Sequence, residues 1–246
     1  MCVTVCYMTQ IHSTSPHALT KSLNLLADTY NYNHWIYSLM RPFLGDVLCE
    51  VGAGIGNLTR FFLNARRLVC IEPEPEYWDT LQQLSAIHRN ITVARCGIEA
   101  FIAGRNSSER FDSVVCVNVL EHIQEQEHAL RMMTNLLRPQ GVVLLYVPAC
   151  PWAYGRLDEA LGHYRRYSKK QVKHLAHVCR LRLVQCRYVN CIGAFGWWWH
   201  SRVRKNAEIK PGPVRSFDRF VPYISALEHF LPLVVGQSLF AVLQQA

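Results

Sequence analysis

CEVGAGIGNLT, residues Cys49 to Thr59, decides the fold of this 246-residue chain. It follows the apolar run DVLCEVG (Asp46–Gly52), which reads as a buried strand, and NLTRFFLNA behind it reads as a helix. Glycines at such a junction allow a tight turn and close approach of backbone to a ligand. A dinucleotide loop needs G-x-G-x-x-G. Gly52 and Gly54 fit, but Asn57 stands at the third position and the third glycine is Gly56. No G-K-[ST] follows, which excludes a P-loop. Glu50 precedes the first glycine, where a pyrophosphate would be repelled and a cationic ligand attracted.

Outward from this loop a βαβ rhythm runs through the chain. RLVCIEP is a second strand, with a helix from Glu76 to Ile87. NITVARC and FDSVVCVNVL are the third and fourth strands, and a helix over Glu125–Leu137 follows. GVVLLYVP (Gly141–Pro148) is the fifth. Strands that are apolar throughout, separated by helices, predict a parallel sheet covered on both faces. A loop to Tyr167, a helix over Ser168–Cys179 and a strand over Leu181–Val189 come next. An aromatic and basic insert begins at Asn190, and SLFAVLQQ is a last strand. Before the sheet, Ser22–Phe43 has helical spacing and is stopped by Pro42 and Gly45; the first 15 residues read as a loose tail.

Glu72 ends the second strand, where a carboxylate can accept two hydrogen bonds from a ribose diol. S-adenosylmethionine has a ribose, a sulfonium and an amino group, and no phosphate. EVGAGIGNLT, IEPEP, FDSVVCVNVLEHI, LLRPQG and VPA together resemble the class I S-adenosylmethionine-dependent methyltransferases. GHYRRY resembles a segment of a subset of uncharacterised bacterial, small-molecule members. The resemblance implies an α/β Rossmann-like sheet of order 3-2-1-4-5-7-6, with strand 7 antiparallel. It also implies S-adenosyl-L-methionine as cofactor, held by Glu50, Gly52, Gly54, Gly56 and Glu72, with Asn118 bonding cofactor or backbone. The acidic residue usual after the third strand is displaced: Ile98 stands in its place and Glu99 follows, so Glu99 or a backbone group serves adenine. Residues 1–45 then form a helical segment over the active site, 46–246 the catalytic domain, and 190–235 a substrate-side insert.

NVLEHI (Asn118–Ile123) ends the fourth strand, where ligands of open α/β sheets bind. His122 is a candidate general base or a structural histidine. RLDEALGHYRRYS places Asp158, His163, Arg165, Arg166 and Tyr167 at the same end of the sheet. His163 and Tyr167 could deprotonate or orient an acceptor, while Arg165 and Arg166 bind an anionic group or pair with Asp158 and Glu159. Trp197 belongs to a run of three tryptophans that cannot all face one core, and is assigned to the substrate side.

The formal charge is +8, and it is local: residues 151–210 hold 13 Lys+Arg against 3 Asp+Glu. Such a segment contacts an acidic substrate or an anionic membrane surface, or is a solvated face; nucleic acid is least favoured. Ten cysteines without C-x-x-C read as reduced thiols in a cytoplasmic protein, and give no metal site. The apolar tract Phe230–Leu243 is too short to span a bilayer. The expected activity is methyl transfer to oxygen or nitrogen of a small or lipid-linked acceptor, by a monomer or homodimer. The alternatives are an RNA or protein methyltransferase, or a cofactor-binding partner subunit without turnover.

Overall fold

The structure is a computed structural model, and it describes residues 16–104, 109–203 and 211–245. The tail expected over residues 1–15 lies outside the described residues, as does part of the insert.

Seven strands form one sheet: β1 (Val47–Val51), β2 (Arg67–Ile71), β3 (Ile91–Ala94), β4 (Phe111–Val117), β5 (Leu137–Pro148), β6 (Leu181–Val189) and β7 (Ser238–Gln245). Their order is β3-β2-β1-β4-β5-β7-β6. The first five run parallel, with Glu50 beside Cys70 and Val115, and β7 runs antiparallel to β5 and β6. Side chains alternate between faces along each strand. Cys49, Val69, Val114, Val143 and Leu145 therefore share one core layer, and Leu48, Cys70, Val115, Leu144 and Tyr146 share the other. Both layers are covered, which is why the strands read as continuous apolar runs.

Nine helices lie among the described residues: α1 (Pro16–Ala27), α2 (Tyr30–Met40), α3 (Trp78–Ile87), α4 (Ile98–Gly104), α5 (Gln126–Thr134), α6 (Arg156–Ala160), α7 (Lys169–Val178), α8 (Cys191–Trp198) and α9 (Pro211–Phe230). Ser168 caps α7, its hydroxyl accepting from Gln171 N. Of these, α4, α6, α8 and α9 are absent from the sequence reading.

The helix expected over NLTRFFLNA is not formed. A 3₁₀ turn at Thr59–Phe61 takes its place. Tertiary bonds compete for the groups a helix would use. The Thr59 hydroxyl donates to Glu50 Oε2 at 2.6 Å, and the Asn90 side-chain amide donates to the carbonyls of Leu63 and Ala65. The gap is filled by α2, whose Tyr37 stacks on Phe61 at 5.6 Å and whose Trp35, Ile36 and Met40 join the core layer with Phe62.

The long helix α9 is a brace. The carboxylate of Asp218 accepts the backbone N–H groups of Asn31 and Tyr32, capping α2. Glu228 accepts those of Asn190 and Cys191, capping α8. A helix begins with N–H groups that lack intrahelical partners, and negative charge there is favourable. Both acids of α9 are buried for this purpose.

Candidate functional site

Apart from Glu50, which lies within β1, the residues singled out from the sequence lie at or beyond the carboxyl ends of the parallel strands or on the segments attached there. A cavity of about 690 Å³ lined by Arg66, Arg67, Arg89, Arg110 and Arg138 sits at the amino ends instead, away from the glycine loop.

The loop itself turns on three left-handed glycines, Gly52, Gly54 and Gly56, at φ of 72°, 56° and 81°. The Gly54 N–H donates to Glu72 Oε2 at 2.7 Å, and Glu74 N–H donates to Oε1 at 2.9 Å. Glu72 is buried, and that burial pushes its carboxyl above the ordinary value. A β-carbon on Gly54 would meet only the Leu23 side chain, at 3.5 Å. Helix α1 thus lies over the loop, where Asn57 Nδ2 donates to the Leu23 carbonyl and Thr20 bonds Glu76. Ile98 is in the core, and Glu99, half-buried on α4, lies beside Gly97. Asn118 adopts φ 52° at the end of β4 and donates its N–H to the Tyr146 carbonyl.

Glu50 points the other way, to Thr59 and the Cys70 thiol. Burial pushes it up to about 7. The unfolded carboxyl sits lower, near 4.5, so this group's stability contribution is complete below that pH and is lost as pH rises through 7. Its share of the loss between acid and pH 8 is on the order of 3 kcal/mol. Glu50→Gln is expected to flatten that part of the urea-midpoint curve. Parallel curves for the variant and the parent chain would contradict the assignment.

A second cluster forms where the loop after α6 zips onto the loop after β4. Tyr164 N–H donates to the Glu121 carbonyl, and the Arg165 guanidinium donates to the carbonyls of Ile123 and Gln124. The Tyr167 hydroxyl donates to the Leu120 carbonyl, while its backbone bonds Pro148 and Cys150. Burial holds that phenol far above its ordinary range, which leaves it a tie between loops and unsuited to act as a base. Arg165 and Arg166 are engaged within the protein. Arg166, 2% exposed, places Nε 2.7 Å from Asp158 Oδ1, donates to the Ala149 carbonyl and lies under the Trp197 ring.

Asp158 organises this cluster. It accepts from His163 Nδ1 and Arg166 Nε on one oxygen, and from Gly155 N and Trp197 Nε1 on the other. Burial alone would raise its carboxyl, but the His163 bond and the Arg166 charge outweigh burial and hold it below the ordinary value. The tryptophans separate as consecutive helical positions must: Trp197 onto Arg166, Trp198 against the core, Trp199 half-exposed. His122 meets His163 edge-on, with ring centroids 4.8 Å apart. Burial, then the neighbouring His163, pushes His122 down to about 3. It is neutral near pH 7, a hydrogen-bond acceptor and a weak base. Glu121, quoted in the sequence but given no role there, is fully buried beside them. Its adjacency to His122 in NVLEHI was the available signal.

Known proteins share this architecture. Residues 49–143 match the family model described as a methyltransferase domain. The human thiol S-methyltransferase TMT1A is 32% identical over 114 residues, 43% of this chain and 46% of that protein. The uncharacterized Mycobacterium tuberculosis protein Rv1509 is 33% identical over 107 residues, 41% of this chain and 35% of that one. The matches thus span less than half the length of these curated relatives. Among solved structures, the Burkholderia thailandensis 1,6-didemethyltoxoflavin-N1-methyltransferase, bound to 1,6-didemethyltoxoflavin and S-adenosylhomocysteine, superposes with a TM-score of 0.60 at 15% identity. It covers 93% of this chain and 84% of its own. NodS from Bradyrhizobium japonicum WM9 with S-adenosyl-l-homocysteine gives 0.56 at 14%, covering 93% and 98%. At these identities the likeness shows the fold alone: a seven-stranded Rossmann-like sheet.

Proposed function

We propose that this chain is an S-adenosylmethionine-dependent methyltransferase acting on a small-molecule acceptor. The observation that carries the reading is the cradle in which Gly54 N–H meets the buried Glu72 carboxylate. No Lys or Arg stands between Cys49 and Thr59, a donor set that suits a cationic ligand without phosphate. Gly52, Gly54, Gly56, Glu72, Glu99 and Asn118 would hold the cofactor, with Glu50 setting the loop from behind. When bound, it supplies an electrophilic methyl carbon on a positively charged sulfur. The protein's part is alignment and exclusion of water. Helix α1 covers the loop from one side, and the zipped loops carrying His122 and His163 wall the other.

Oxygen and nitrogen acceptors follow from the sequence reading; sulfur joins them because TMT1A is a thiol S-methyltransferase. With Arg165 and Arg166 bonded internally, acceptor choice falls to the aromatic insert more than to an anion clamp. Calorimetry with S-adenosylmethionine and NAD in parallel tests the cofactor; heat with NAD alone would overturn the reading. A labelled-methyl screen over thiols, amines and phenols tests the acceptor. Arg165→Ala frees the loop carrying His163 from the carbonyls of Ile123 and Gln124. It is expected to leave cofactor affinity within about twofold and to lower kcat/KM about tenfold, or roughly 1.4 kcal/mol. Collapse of cofactor affinity in a folded variant would contradict the acceptor-side role.

A further inference from the structure

The geometry points to a binding site for one divalent transition-metal ion of the zinc class, formed by Glu121, His122 and His163. One ligand atom from each lies within 4.8 Å of the others. Glu121 and His122 come from the 3₁₀ turn at Leu120–His122 after β4, and His163 from the loop zipped onto it. The site is independent of the methyl-transfer reading.

Among the described residues, no other residue hydrogen-bonds either Glu121 carboxylate oxygen, and His122 Nδ1 has no hydrogen-bond partner. Glu121 is 0% exposed and His122 8%. Buried polar atoms left unpaired are rare in native proteins, because each forfeits its hydration. Here the unpaired atoms converge from two neighbouring residues.

Hydrogen bonds behind the cluster set the imidazole lone pairs. Asp158 accepts from His163 Nδ1 at 2.9 Å, so the proton sits on Nδ1 and the Nε2 lone pair is free. A carboxylate behind a histidine is a common support for a metal ligand. His122 makes a backbone hydrogen bond with Gly162 while Nδ1 is unpartnered, which leaves the lone pair on Nδ1. The nearby Arg166 cation would repel a metal ion, but Asp158 neutralises it at 2.7 Å.

Two imidazole nitrogens and one carboxylate oxygen suit zinc and its neighbours, whereas calcium and magnesium prefer oxygen alone. Three protein ligands leave a fourth position for water or a heteroatom of another molecule. The cluster stands at the same end of the sheet as the glycine loop, with Val119 packed beside Gly52.

The test uses the full chain, stripped by chelator and titrated with Zn2+, Co2+ and Mg2+ in the absence of cofactor. One equivalent of Zn2+ is expected to bind and to raise Tm, with Mg2+ inert at equal concentration. Co2+ is expected to develop visible d–d absorption without a thiolate charge-transfer band. Glu121→Gln keeps the shape of the site and is expected to weaken Zn2+ binding about 100-fold. Binding unchanged in Glu121→Gln, a thiolate band with Co2+, or no binding at one equivalent would each overturn the proposal. Should Glu121→Gln fail to fold, His163→Gln gives the same readout.

Discussion

Asp158→Ala is expected to destabilise the protein by about 3–5 kcal/mol and to lower Tm by roughly 10 °C. The carboxylate is fully buried and answers four donors, from Gly155, His163, Arg166 and Trp197. Alanine leaves the Arg166 guanidinium buried without its counter-charge, and that stranded cation is the costly part. Asp158→Asn keeps the shape and one acceptor oxygen, so a smaller loss is expected. The sign with pH also follows. A carboxyl held below its unfolded value contributes stability above that value, and the contribution is lost as pH falls through the folded one. The gap between parent and alanine variant should therefore narrow in acid. An unfolding free energy from urea titration within about 1 kcal/mol of the parent at neutral pH would show that Arg166 finds another partner.

Gly54→Val carries the second large effect, on binding more than on folding. A β-branched residue at φ 56° is strained by about 1–3 kcal/mol, and the N–H bond to Glu72 is pulled out of line. The new side chain also enters the gap between loop and α1, since only Leu23 lies within 4 Å of its β-carbon. Cofactor affinity is expected to fall at least about 100-fold, or roughly 2.7 kcal/mol, while the circular-dichroism spectrum stays that of the parent. Gly54→Ala separates the two causes, because it pays for the backbone angle and fills far less of the gap. Affinity unchanged in a folded Gly54→Val would remove the loop from the cofactor site.

What could be read from the chain alone was what neighbours in sequence encode. Apolar runs such as VLCEV and RLVCI mark strands covered on both sides. The pattern over Ser168–Cys179 marks α7. The three glycines mark a left-handed turn, since no other residue adopts that backbone cheaply. The strand order came with the resemblance carried by EVGAGIGNLT and LEHI, and the sheet follows it.

Partner choice was another matter. A long side chain reaches whatever the fold brings within about 3 Å, and that is settled by elements far apart in sequence. Arg165 reads as an anion clamp until the loop after β4 offers it two carbonyls. Thr59 reads as helical until Glu50 takes its hydroxyl, and with it the helix. Asp218 and Glu228 carry no sequence signal of their roles, and only α9 brings them to the starts of α2 and α8. Glu121 and His122 acquire His163 only when Tyr164 bonds the Glu121 carbonyl across the two loops. The sequence by itself determined the strands and the left-handed glycine loop, because both are local patterns of burial and backbone angle. Only the tertiary structure decided which charges are engaged and which buried donors and acceptors are left facing one another, because those depend on distances no local pattern encodes.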